Sequence, residues 1–498
     1  ITGGKIIANK VNILAGQVAK DLGIIDITAG ATNDLIKLTF GGANGKGDVA
    51  PIAAWTVNNG VTFSAGVQTV QGVLGVVAKD AIAAAGYQDT VAAGTFVGAT
   101  SFANDNSTSD VSFTGLASGQ SVTINGNTAT SNGATSAAWG STVTSPVLNI
   151  TGGTTGSGAV SLTSAGATTT TINSNGVPLT STGLPGTNTI GTLSTGGTST
   201  STVAIHAASN LTTGAYTSAS KYITVDGAAT SVSFGSTAIA GGVVTSIDAS
   251  GMTAGGVTVV LPTATTVFKG GAGTDIVTTA GATLGATAVI DGGAGSSDRL
   301  VLANSTDVAT ATEAAKYINF EQLQVGAFQA DASLVAGITS IRTAGNSSVI
   351  NLNATQAAAI TATNTNANPT LALKDASGTA DVMTITASNS SSAANVTGLS
   401  LTGVETLNFR NSSAAANTLS FATGASSGTT NTGLKNLVVT GAKGVTVDLN
   451  SNSAGTNTTY GNQVATLLSV DASGLTAQAT GTNTFTLQDT NGGHALAN

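Results

Sequence analysis

The sequence predicts a mainly β protein. Its fold class is a stacked β-coil, a solenoid of the β-roll or β-helix kind, with β-sandwich-like modules and a small α+β part at the N-terminus. Three observations carry this. Charged residues are 8% and aromatics 4% of 498 residues, against about 25% charged in an average soluble domain. The space they leave is filled by Ala, Val, Thr, Ser and Asn, with 65 Gly, a mixture of strand-forming and turn residues. Apolar and polar residues alternate at spacing two over long stretches, and related phrases recur at irregular intervals, as stacked supersecondary units do.

Residues 1–107 read as the small α+β module. They carry charges of both signs, such as Lys20, Asp21, Asp34 and Lys37. Apolar residues at mixed three- and four-residue spacing predict a helix over Val70–Tyr87.

Residues 108–242 read as uncharged β modules. From Val111 to Ser220, 110 consecutive residues contain no Asp, Glu, Lys or Arg. Strand-like phrases such as SVTINGN, VLNITGG and STVAIHAA are separated by Gly-Asn, Ser-Gly and Gly-Gly pairs. The alternative is a flexible Ser/Thr/Gly-rich linker; the regular alternation of Val122 with Ile124 and Val160 with Leu162 favours strands. With Thr123 and Ser161 facing outward, part of this surface is expected to be a subunit contact. An inert stalk is the other reading.

Residues 243–498 read as the solenoid proper. SIDASGMTAGGVTVVL (246–261) recurs as SVDASGLTAQATGTNTFTL (469–487), with INFEQLQV, LTGVETLNF and GLKNLVVTGAKGVTVDL between them. Val257, Val259, Leu261, Leu300, Leu302, Leu323, Val325, Leu407 and Phe409 are the predicted core. Short helical pieces are expected after Thr310, Asp331 and Asn353, each a good N-cap.

Two glycine clusters between Thr266 and Leu302 stand apart. The first is Gly-Gly-Ala-Gly-Thr-Asp from Gly270 to Asp275. The second is Gly-Gly-Ala-Gly-Ser-Ser-Asp from Gly292 to Asp298, preceded by Asp291. Glycine lets main-chain carbonyls turn into a tight loop, and carbonyls with carboxylates are the hard oxygen donors that suit Ca²⁺. Ca²⁺ is therefore the expected ion. Its candidate ligands are Gly270, Ala272, Asp275, Asp291, Gly292, Ala294 and Asp298, with the two turns lying side by side. Asp248 and Asp471 read as turn caps before ligands, Asp375 and Asp381 as a degenerate version of the turn, and Glu321 and Glu405 as surface ends of strands.

These two stretches resemble the nonapeptide calcium-binding repeats of repeats-in-toxin (RTX) proteins. The surrounding texture, with DASGMT…VTVVL, FEQLQV and GVETLNF, resembles proteobacterial surface-layer (S-layer) proteins and type I-secreted adhesins. The resemblance covers roughly residues 108–498, and the specific motif lies in 266–302. It implies a secreted, calcium-binding structural protein at the cell surface.

The remaining observations exclude classes. A net charge of −8 with scattered Lys and Arg offers no basic patch for nucleic acid. No apolar run is long enough for a transmembrane segment. The absence of Cys removes thiol chemistry and disulfides. His206 and His494 are the only histidines, and no nucleophile elbow or phosphate loop is evident, so the chain does not read as an enzyme. The opening ITGGKIIANK is not a signal peptide and lacks an initiator Met, so the chain is expected to be trimmed or fragmentary. The expected function is an extracellular structural protein, an S-layer subunit or similar self-assembling polymer whose partner is itself, with a cell-surface polysaccharide as a further candidate. An adhesin segment binding a glycan or surface is the alternative.

Overall fold

The computed structural model describes residues 100–422 except 106–109, 126–132, 152–157, 177–186, 364–365 and 368. It also describes 431–449 except 432, 466–476, 484–488 and, within 1–93, the strands and Ala93. The chain divides into two compact units, Ile1–Asp275 and Ile276–Asn498.

In the first unit the strands alternate between two open parallel sheets. One sheet includes Asp110–Leu116, Thr135–Trp139, Ala159–Thr163, Asn188–Thr195 and Leu211–Ser218. The other includes Ser101–Asp105, Ser121–Asn125, Val147–Thr151, Thr169–Asn175, Thr202–Ala207 and Tyr222–Gly227. Each strand thus pairs with the strand two elements ahead, one coil further on. That is the topology of a β-solenoid. A third, three-stranded parallel sheet joins Lys5–Ile7, Ile25–Thr28 and Val61–Phe63.

The inward residues interlock between the two sheets. Phe102 of one sheet meets Phe113 of the other, with ring centroids 5.9 Å apart, and Val122, Ile124, Leu148, Ile150, Val160 and Leu162 are all buried. The same coil arrangement runs through the uncharged segment: the described strands between Val111 and Ser220 pair in parallel, in place of the antiparallel modules a sandwich requires. Its described corners close without charge. Ser164 Oγ donates to Val143 O at 2.9 Å, Asn188 Nδ2 to Ser174 Oγ at 2.8 Å, and Ser201 Oγ to Ser220 Oγ at 2.7 Å. Ser164 meets a main-chain carbonyl and the side chains of the other two pairs satisfy one another, so these corners close with no ionised group.

The second unit repeats the plan. One sheet runs Ile276–Thr278, Arg299–Val301, Gln322–Val325, Ser340–Thr343, Ile360–Thr363, Val382–Ser388, Thr406–Asn411, Asn436–Gly441 and Ser469–Leu475. A facing set includes Ser348–Leu352, Thr370–Leu373, Val396–Thr402, Asn417–Phe421 and Val445–Asp448. All nine predicted core residues are buried, none more than 3% exposed. Two of the recurring phrases stack in register, Leu407 of LTGVETLNF beside Leu437 of GLKNLVVTGAKGVTVDL.

Two of the three helical expectations hold. Ala311–Ala314 is capped by Thr310, whose Oγ1 accepts from Glu313 N. Ala354–Ala357 is capped by Asn353 in a reciprocal capping box with Gln356. After Asp331 the chain turns without forming a helix. Over Val70–Tyr87 the described part, Gly75–Asp80, is a strand that pairs with Leu35–Phe40 and Ser101–Asp105. Pairing on both edges and two adjacent β-branched residues, Val76 and Val77, override the apparent helical spacing.

Candidate functional site

The first glycine cluster joins Val267–Lys269 to the strand that follows Asp275. Gly270 and Asp275 are buried and Ala272 is exposed. Asp275 is fully enclosed. Its Oδ1 accepts from Val257 N at 2.6 Å and its Oδ2 from Gly271 N at 2.9 Å. The carboxylate therefore clamps its own turn to the adjacent coil. Burial nonetheless dominates, pushing this carboxyl up from 3.8 to about 6, against the two main-chain N–H groups that lower it.

The second cluster joins Ile290–Asp291 to Arg299–Val301. Asp291 is half-buried, and its Oδ1 accepts from Gly293 N at 2.9 Å and Asn319 Nδ2 at 2.8 Å. Gly292 is buried and Ala294 exposed. Gly292 is required by close approach: a Cβ there would stand 2.1 Å from Asn319 O and 3.0 Å from Asp298 Cβ. Asp298 is fully buried. Its main-chain N donates to Glu321 Oε2 at 3.0 Å, and its carbonyl accepts from both Glu321 N and Gln322 N.

This corner recurs. Asp381 N donates to Glu405 Oε2 at 2.8 Å, and Asp381 O accepts from Glu405 N and Thr406 N. Asp298 with Glu321 and Asp381 with Glu405 are thus two equivalent pairs of acids on successive coils, each just before a strand. Glu405 is only 8% exposed. Both glutamates stand at strand ends as expected, but their carboxylates turn back to the main chain. Composition and spacing give no sign of that inward turn; the recurrence of Glu before Gln-Leu and Thr-Leu is the one trace of it.

The Asp-Ala-Ser phrases behave as turn caps. Oδ1 of Asp248, Asp331, Asp375 and Asp471 accepts from the main-chain N of Ser250, Ser333, Ser377 and Ser473, at 2.9–3.0 Å. These are Asx turns. At Asp331, Asp375 and Asp471 the serine bonds hold the carboxyl below its ordinary value; at Asp331, Asn351 and Lys374 assist and outweigh the upward pull of burial.

Among the described residues no three His, Cys, Asp or Glu side chains gather closely enough to hold a metal ion. The donors present are main-chain carbonyls of glycine turns with at most a pair of acids. That set fits a weak oxygen-ligated cation and not a closed carboxylate cage. His206 of Thr202–Ala207 pairs instead with Asp226 of the next coil, Nδ1 to Oδ1 at 2.8 Å, both about half exposed. Asn173 donates to Asn149 Oδ1 at 2.8 Å in the same outward column.

No family model matches the chain, and no curated protein matches it.

Proposed function

We propose that this chain is an extracellular structural protein, a subunit of an S-layer or a similar self-assembling polymer, stabilised by Ca²⁺. The observation that carries the reading is the long stack of parallel coils with outward rows of Ser, Thr and Asn. A coil whose surface is uncharged over 110 residues has no long-range repulsion between copies, and its hydroxyls and amides hydrogen-bond across a close contact. The repeated pairs Asp298–Glu321 and Asp381–Glu405 support the cation. Each places two acids one coil apart, with the Glu carboxylate on the Asp main-chain N–H, and a cation bound there would gain oxygen donors from neighbouring coils. Gly270, Ala272 and Asp275 would offer oxygens to a Ca²⁺ at the first glycine cluster, and Asp291, Gly292, Ala294 and Asp298 to a Ca²⁺ at the second.

Electron microscopy of the purified protein, with Ca²⁺ and with chelator, tests this reading. Ordered sheets or filaments that need Ca²⁺ are the expected result. A monomer indifferent to Ca²⁺ would overturn it in favour of the second reading, an adhesin segment that binds a glycan or surface. The outward rows of hydroxyl and amide groups favour that alternative as the runner-up.

A further inference from the structure

The whole chain contains three arginines, Arg299, Arg342 and Arg410. All three lie on the outward face of one sheet of the second unit. Each neighbours an inward residue, Leu300, Ile341 or Phe409, that is fully buried. Arg342 and Arg410 share one column, joined through Thr361 and Thr386 in register. Arg299 stands in the adjacent column, and its strand is two strands from that of Arg342. At about 4.8 Å per strand, the three span about 25 Å along the stack.

Among the described residues none of the three forms an ion pair. Arg299 Nε donates to Gln322 Oε1 at 2.6 Å, which fixes the stem of the guanidinium. Arg342 Nε is buried and meets no acceptor. Burial, and after it the charge of Arg342, lowers Arg299 to about 10. The acids nearest in sequence to the three are Asp298, Asp331 and Glu405, with Glu321 on the strand end between; Asp331 is held by Ser333 and Asn351, and the two glutamates are committed to main-chain N–H groups. The face between the arginines carries Gln322, Gln324, Thr361, Thr386 and Asn408. In a chain of net charge −8 this is a strip of positive charge with neutral hydrogen-bonding groups and, among the described residues, no ion-paired acid.

We propose that this face binds a linear acidic polysaccharide, laid across the strands with its carboxylates on Arg299, Arg342 and Arg410. Guanidinium presents a planar fork that matches a carboxylate in two bonds. Amide and hydroxyl side chains recurring at the strand spacing suit the hydroxyls of successive sugar rings. A point cluster would suit a single small anion; a strip spread along the stack suits a polymer. The inference deepens the surface-protein reading by naming the partner and the face, and its test does not depend on assembly.

The test measures binding of polygalacturonate, dextran and polyphosphate to the whole chain, as wild type, Arg299→Gln/Arg342→Gln, Arg410→Gln and Lys269→Gln. Lys269 is exposed in the other unit and serves as the control. Circular dichroism establishes that each variant keeps its β fold. The expected result is wild-type binding to polygalacturonate that weakens with salt. The double variant should lose at least tenfold, the scale of one lost charge-assisted hydrogen bond, with a smaller loss for Arg410→Gln and none for Lys269→Gln. Where the double variant misfolds, Arg342→Lys replaces it and must still weaken binding. Equal binding by folded wild type and variants, dextran bound as well as polygalacturonate, or polyphosphate bound as tightly as polygalacturonate would each overturn the proposal. Unchanged glycan binding with lost self-assembly would also overturn it, in favour of a contact between copies. Assembly that fails in the wild type while arginine-dependent glycan binding persists would count against the proposed function alone.

Discussion

Asp275 Oδ1 accepts from Val257 N at 2.6 Å, so one buried carboxylate holds two coils together. Because burial raises its pKa from 3.8 to about 6, the folded chain keeps a proton there that the unfolded chain releases. The unfolded state then binds fewer protons between about pH 4 and pH 6, and stability falls as pH rises through that window. At about 1.4 kcal/mol per pKa unit the loss is on the order of 3 kcal/mol. Asp275→Asn should abolish this slope. Ca²⁺ should flatten it, because a cation favours the ionised form. Melting curves from pH 4 to pH 7, in chelator and in Ca²⁺, measure both effects. Superimposable curves in the two solutions at every pH would remove Ca²⁺ from this turn.

Glu405→Ala strands the main-chain N–H of Asp381 and should destabilise by about 1–3 kcal/mol. Glu405→Gln keeps an oxygen acceptor and should cost less. Chemical denaturation distinguishes them, and equal midpoints for the two variants would contradict the role assigned to this carboxylate.

At Gly227 φ is +124°, and a Cβ would stand 2.1 Å from Ala207 O. Gly227→Ala should therefore cost about 2–4 kcal/mol, combining backbone strain with a clash against main chain. Gly119 also has positive φ, +80°, but has open space around it. Gly119→Ala should cost only about 1–2 kcal/mol. A larger loss at Gly119 than at Gly227 would mean the coil contact at Ala207 is looser than described.

Thr123 and Ser161 both point outward between buried neighbours, but they belong to different sheets. Thr123→Lys and Ser161→Lys thus probe two separate faces. The face that contacts another copy should lose assembly at low salt and recover it as salt screens the repeated charge, with the fold unchanged. If both variants assemble like the parent, the contact lies outside these rows.

The sequence shows the inward residues plainly, because spacing two survives in Val257 with Val259, Leu323 with Val325 and Leu407 with Phe409. Partner strands are less legible. A parallel neighbour lies a whole coil away, and nothing local marks Leu407 as standing beside Leu437. The same remoteness hides the arginine strip: Arg299, Arg342 and Arg410 are isolated in sequence and share a face only through coil register. The glycine clusters are visible as motifs, yet the clamp from Asp275 to Val257 is not, since a carboxylate that turns inward leaves the same letter as one that faces water. Gly75–Asp80 reads in sequence as part of a helix, and pairing on both edges makes it a strand instead.

Stacked parallel coils also have a mechanical meaning. Their main-chain hydrogen bonds run along the stack, so tension applied along it falls on all the bonds between two coils together, whereas tension along the strands falls on covalent chain. A coil that gives way releases its own loop and leaves its neighbours paired. The step from Asp298 to Glu321 is 23 residues, which at roughly 3.5 Å each is about 80 Å of slack from a layer about 4.8 Å thick. Such a body is stiff until one layer fails, and then extends by many times that layer's thickness without losing the rest.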